Sequence, residues 1–137
     1  MGKEIFKRLL YPFLFSLGLS FLIVLLVSGG SGGSENTQAR NIMFFYASFI
    51  SISCFISSVP AFLNLVVSVR KSLYLSIASF FAFPLAVHIF TILQNTEGDL
   101  ALLIIFYSPS SLYLLALIYN FYRFRKNTEI EWIQKNL

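Results

Sequence analysis

His88 is the only histidine in this chain and Cys54 the only cysteine. Both fall inside long apolar runs. A lone cysteine forms no intrachain disulfide and anchors no zinc site, so Cys54 reads as a small buried packing residue. His88 is the one side chain in these runs whose ordinary titration falls near neutral pH. The expected state is a neutral imidazole bonded to Thr91, a tyrosine hydroxyl or a carbonyl, with a ligand- or proton-sensing role as the sharper alternative. Tyr107, Ser108 and Ser110 lie at the same depth in the fourth run, and Tyr46 and Ser51 in the second. These are its candidate partners.

The second run is the most polar. Ala47, Ser51, Cys54, Ser58 and Ala61 recur at steps of three and four, so on a helix they form one small-residue face of the kind that lets backbones approach closely. Beside it run Tyr46, Ser53, Ser57, Pro60 and Asn64. Pro60 frees the carbonyl of Ile56, which a hydroxyl must then satisfy. Close helix packing explains this face, and a polar groove for a ligand, lipid or partner helix is the functional alternative. In the third run Ser72, Ser79, Ala82 and Ala86 make a second small-residue face. Asn64 and Asn120 both fall near one membrane edge, with Tyr11 nearby. They could meet across the bundle as helix glue or as a headgroup-binding or gate position.

What the runs lack is as informative. None carries an Asp, Glu, Lys or Arg in its interior, and intramembrane charges mark proton relays and ion paths. Proton-coupled exporters, membrane metalloproteases, bis-histidine haem proteins and membrane phosphotransferases all need side chains this chain does not hold. No metal or cofactor is expected. An enzyme would have to work from His88 with serine or tyrosine hydroxyls and no nearby acid, so the chain reads as a non-enzyme.

Four spans must position these residues: about 9–28, 42–69, 72–94 and 100–122. Each is near or above the roughly 20 residues needed to cross a bilayer. The fold class is therefore all-α, a polytopic four-helix membrane bundle forming one domain. Charge alternates between the spans. Lys3, Lys7 and Arg8 precede the first, Arg70 and Lys71 join the second to the third, and Arg123, Arg125, Lys126 and Lys135 follow the fourth. The other two connections hold only Glu35 with Arg40, and Glu97 with Asp99. Lys and Arg stay on the cytoplasmic side, which places both termini there, in a plasma or bacterial inner membrane. The N-terminal run mimics a signal peptide, but its 19 apolar residues from Leu9 to Val27 suit a retained span better.

Local signals refine the spans. Pro12 should sit in the first turn of helix one, where a missing N–H does no harm. Residues 29–40 form a loop whose Gly/Ser repeat has the regularity of an engineered linker or of natural low complexity. Asn41 is a candidate N-cap for helix two and Asp99 for helix four. Pro60, Pro84 and Pro109 should kink their helices. Phe80, Phe81 and Phe83 suit lipid contact, with an aromatic-lined ligand slot as the alternative. In the 123–137 tail, Thr128 and Glu131 match a capping box, and Ile130, Ile133 and Leu137 share a face, which predicts a short amphipathic helix on the cytoplasmic membrane surface.

Of the residues, 57% are hydrophobic and 12% charged, with a net charge of +4. The basic residues are dispersed over membrane flanks rather than gathered in a stripe, which argues against nucleic acid. The functional expectation is a non-enzymatic membrane protein acting by contact with another membrane protein or an inserted toxin, of immunity, accessory or scaffold type, or by self-association. The alternative is a small oligomeric channel or transporter for a neutral or lipid-like solute. The candidate interaction or cavity face is Ser51, Cys54, Ser57, Ser58, Asn64, His88, Tyr107 and Asn120.

Overall fold

The computed structural model describes residues 2–28, 34–94 and 100–135, with side chains at 2–28, 37–94, 100 and 102–127. Among these residues all regular structure is helical. Helix α1 is Gly2–Ser28, α2 Ser34–Ser57, α3 Val67–Lys71, α4 Leu73–Gln94 and α5 Leu100–Lys135, and a 3-10 segment, Val59–Leu65, links α2 to α3. Four stretches are long and apolar enough to cross a membrane: Gly2–Ser28, Thr37–Leu65, Leu73–Gln94 and Leu102–Asn127.

Helix α5 is the hub. It packs on α1, α2 and α4, whereas α1 and α4 stand diagonally and share no contact among the described residues. The inward faces follow helical spacing. On α1 they are Ile5, Leu9, Pro12, Ser16, Ser20 and Val24. On α5 they are Ile105, Pro109, Tyr113, Leu117, Asn120 and Phe124. Small side chains on α1 and α2 let those backbones close up, and several hydroxyls bond back to their own helix. Ser16 Oγ donates to the Phe13 carbonyl at 3.1 Å, and Ser48 and Ser53 to those of Phe44 and Phe49 at 2.8 Å. Leu26, Phe45, Tyr74 and Leu93 point outward, as a lipid-facing surface requires.

The phenylalanines divide. Phe83 is exposed, but Phe80 is fully buried, with the rings of Phe121 and Phe124 at 5.2 and 5.5 Å, and Phe81 meets Phe121 at 5.3 Å. Two of the three expected lipid contacts are thus core contacts between α4 and α5. Adjacent residues on a helix point about 100° apart, so one triplet serves both surfaces.

Several boundaries move. Helix α1 begins at Gly2, so Pro12 lies inside it rather than in its first turn. Lys3, Glu4, Lys7 and Arg8 are good helix formers and carry the helix beyond its apolar part. Helix α2 begins at Ser34, so residues 34–40 of the expected 29–40 loop are helical and Asn41 lies within the helix rather than at its cap. Helix α5 runs unbroken to Lys135, so no separate tail helix begins at Thr128. Neither Gly nor Pro interrupts residues 110–135. The side chains that would make the tail amphipathic lie outside the described residues, as do the Gly/Ser stretch at 29–33 and the Asp99 cap.

At one end of the bundle the three basic segments meet. Arg8 and Arg123 line one cleft, and an Arg125 guanidinium N–H donates to the Arg70 carbonyl at 2.6 Å. That bond ties the C-terminus of α3 to α5, where a cation also meets the negative end of the helix dipole. Arg125→Gln is expected to lower unfolding free energy by about 1 kcal/mol in a detergent titration, with Lys126→Gln close to neutral. Equal stability of the two variants would show that the bond contributes nothing.

Candidate functional site

The second run does not simply kink at Pro60. Its α-helix stops, and the stop explains where the hydroxyls go. Ser58 N–H bonds to the Phe55 carbonyl at 3.1 Å, three residues back rather than four. The Cys54 carbonyl therefore loses its helical donor. Ser57 Oγ and Ser58 Oγ both donate to it, at 2.8 and 2.9 Å. The orphaned acceptor served by the serines is thus Cys54 O rather than the expected Ile56 O. Since the Ser58 proton is committed to Cys54, the Tyr113 hydroxyl, 2.7 Å from Ser58 Oγ, is the donor in that pair. This joins α2 to α5 at full burial.

A second bridge joins the 3-10 segment to α4. Asn64 Nδ2 donates to Ser79 Oγ at 2.6 Å and to the Ala61 carbonyl at 3.0 Å, while Ser76 Oγ donates to Asn64 Oδ1 at 2.6 Å. Both N–H groups of the amide and its oxygen are used. A third bridge is His88 Nδ1 with Ser110 Oγ at 2.8 Å, between α4 and α5. Ser110 was among the partners expected from depth alone. Where Pro109 removes the donor to the Ile105 carbonyl, Ser108 Oγ approaches that oxygen at 3.5 Å.

The eight candidate residues therefore divide by place. Ser51, Cys54, Ser58 and Asn64 are fully buried, as are Ala47 and Ala61 of the same face. Ser57, His88 and Tyr107 are half-buried, and Asn120 is buried. The small-residue face of helix two is used inside this chain and is not presented to a partner. Asn64 and Asn120 take different partners: Asn120 Nδ2 donates to the Ala116 carbonyl at 2.8 Å. Tyr11 does lie beside Asn120, in a cleft.

That cleft is open and polar. It holds about 320 Å³ between the start of α1, which gives Glu4, Lys7, Arg8 and Tyr11, and the far part of α5, which gives Tyr119, Asn120 and Arg123. Arg123 also lies over the Tyr119 ring, 5.9 Å from its centroid. The sequence marks Lys7, Arg8 and Arg123 as membrane-flank charges and not as the lining of a cleft. The signal was present in the steps of three and four from Glu4 to Tyr11 and from Tyr119 to Arg123. Tyr113, the partner of Ser58, was missed as well. It sits at the helical step between Pro109 and Leu117 on the inward face of α5. Among the described residues no three His, Cys, Asp or Glu side chains gather as a metal set.

No family model, curated protein or solved structure matches this chain.

Proposed function

We propose that this chain is an integral membrane protein with both termini in the cytoplasm, and that it works by contact with another membrane protein rather than by catalysis. The observation carrying this reading is the outward strip of α4. Leu75, Ala78, Ala82, Ala86, Ile89 and Leu93 recur at steps of three and four, and all are exposed. The strip is shallow in the middle and bulky at both ends. A crossing helix can approach such a strip closely, and in lipid close van der Waals packing is what drives helices together. Several polar residues of the spans meanwhile bond within the bundle, at Ser58–Tyr113, Asn64–Ser76 and His88–Ser110, while the buried Ser20 and Ser51 hydroxyls find no partner among the described residues. The contact surface is therefore assigned to α4 rather than to helix two. The meeting of the basic segments at one end supports the orientation.

The channel or transporter alternative needs His88, Asn64 and the serine face to open on a shared cavity. Full burial of Ser51, Ser58 and Asn64 in helix contacts supports it less.

The test is cysteine cross-linking from Ala82→Cys in a Cys54→Ala background, in native membranes. A disulfide or bifunctional-reagent product is expected, and its mass separates self-association from a different partner. Ala82→Leu should reduce the product about tenfold, since misplacing a well-packed helix contact costs on the order of 1–2 kcal/mol. Recovery of the chain only as an uncross-linked monomer overturns the reading.

A further inference from the structure

We propose that the cleft between α1 and α5 binds a phosphate ester, with the headgroup of an anionic membrane lipid as its source. Three cations line it, Lys7, Arg8 and Arg123, against one carboxylate, Glu4. Arg8 matters most. Its side chain is only 12% exposed, yet its Nε–H is buried and has no acceptor. Its one ion partner among the described residues, Glu4 Oε2, stands 4.0 Å from a terminal nitrogen, too far for a good charge-assisted bond. A buried guanidinium with an unused donor is costly. A phosphate in the cleft offers several oxygens that match the terminal nitrogens of the guanidinium fork, and a small rotation of the side chain would bring its Nε–H, now closed to water, to one of them.

Size and place narrow the ligand. A volume of about 320 Å³ has room for roughly ten waters, more than a bare phosphate fills. Space remains for the alcohol to which the phosphate is joined. Tyr11 and Tyr119 bring amphipathic rings of the kind that settle at headgroup depth. One turn deeper, Leu14 and Leu115 are exposed and give acyl chains an apolar surface to follow. These features favour a lipid over a soluble phosphate ester. The proposal is independent of the α4 contact surface, because α1 and α4 do not touch.

The test uses the full chain in phosphatidylcholine nanodiscs with phosphatidylglycerol titrated in, and counts the lipids retained by native mass spectrometry. One phosphatidylglycerol per chain should be held in preference to phosphatidylcholine. Arg8→Gln should weaken its retention about tenfold. Arg123→Gln, at an exposed position, should weaken it by a smaller factor. Glu4→Gln should tighten it. Lys126→Gln removes the same charge outside the cleft and should change it less than twofold. Glycerol 3-phosphate and inorganic phosphate, added to discs without phosphatidylglycerol, form the second arm. Protection by these at millimolar concentration, with no lipid preference, would assign the site to a soluble ester. Equal losses in Arg8→Gln and Lys126→Gln, or no preference among the probes, would overturn the site altogether.

Discussion

Tyr113→Ala is expected to lower the stability of the bundle by about 2–4 kcal/mol. Tyr113 is fully buried on α5 and donates its hydroxyl to Ser58, just past the end of α2. In a soluble core, loss of such a ring costs about 3–5 kcal/mol. Within lipid the transfer component shrinks, because lipid tails are as apolar as the side chain. What remains is the lost dispersion of a ring with neighbours on every side, together with the void. Tyr113→Phe separates the two contributions. It keeps the packing and removes one hydrogen bond, for about 1 kcal/mol. Unfolding titration in bicelles provides the measurement. If Phe proved as damaging as Ala, the bond rather than the ring would be holding α2 to α5, and the packing account would be wrong.

Asn64→Leu should cost about 2 kcal/mol, although it keeps the volume and raises the hydrophobicity. The amide makes three bonds, to Ala61 O, Ser79 Oγ and Ser76 Oγ. Interhelical hydrogen bonds in membranes average about 0.6 kcal/mol each, and two act here from one side chain, beside a third to Ala61 O of its own segment. The leucine would also leave the Ser76 hydroxyl and the Ala61 carbonyl to find other partners in a dry interior. A double-mutant cycle with Ser76→Ala should return a coupling near 1 kcal/mol. Additive effects of the two changes would mean that the bridge contributes no energy beyond its parts.

The all-helical bundle and its four spans were legible because length and apolar content decide both. So was the inward face of helix two. Steps of three and four in Ala47, Ser51, Cys54, Ser58 and Ala61 fix a shared side whatever it packs against, and that face is fully buried. His88 with Ser110 could be paired by depth. The interruption at Pro60 was harder. A proline warns of a missing donor, but whether the helix bends or tightens into 3-10 geometry depends on what α4 and α5 offer nearby. Here those are Ser76, Ser79 and Tyr113. The cleft was harder still, since Arg8 and Arg123 are 115 positions apart in sequence and only the packing of α1 on α5 brings them together. Charge alone identified them as membrane flanks. The helix ends at Gly2 and Lys135 were misjudged because apolar content marks the lipid-embedded part of a helix, not its end.

The hub position of α5 sets an order of events. Of the four spanning helices it is the last in the chain, yet it is the one the other three pack on. A ribosome would deliver α1, α2 and α4 to the bilayer before their common partner exists. Serine hydroxyls bonded to carbonyls of their own helix, as at Ser16, Ser48 and Ser53, keep those donors satisfied while the early helices wait in lipid. The bridging groups Ser58 and His88 gain their partners on α5 only when that helix arrives. Assembly is thus closed from the C-terminal side, and a chain cut before Leu100 would be inserted but unassembled.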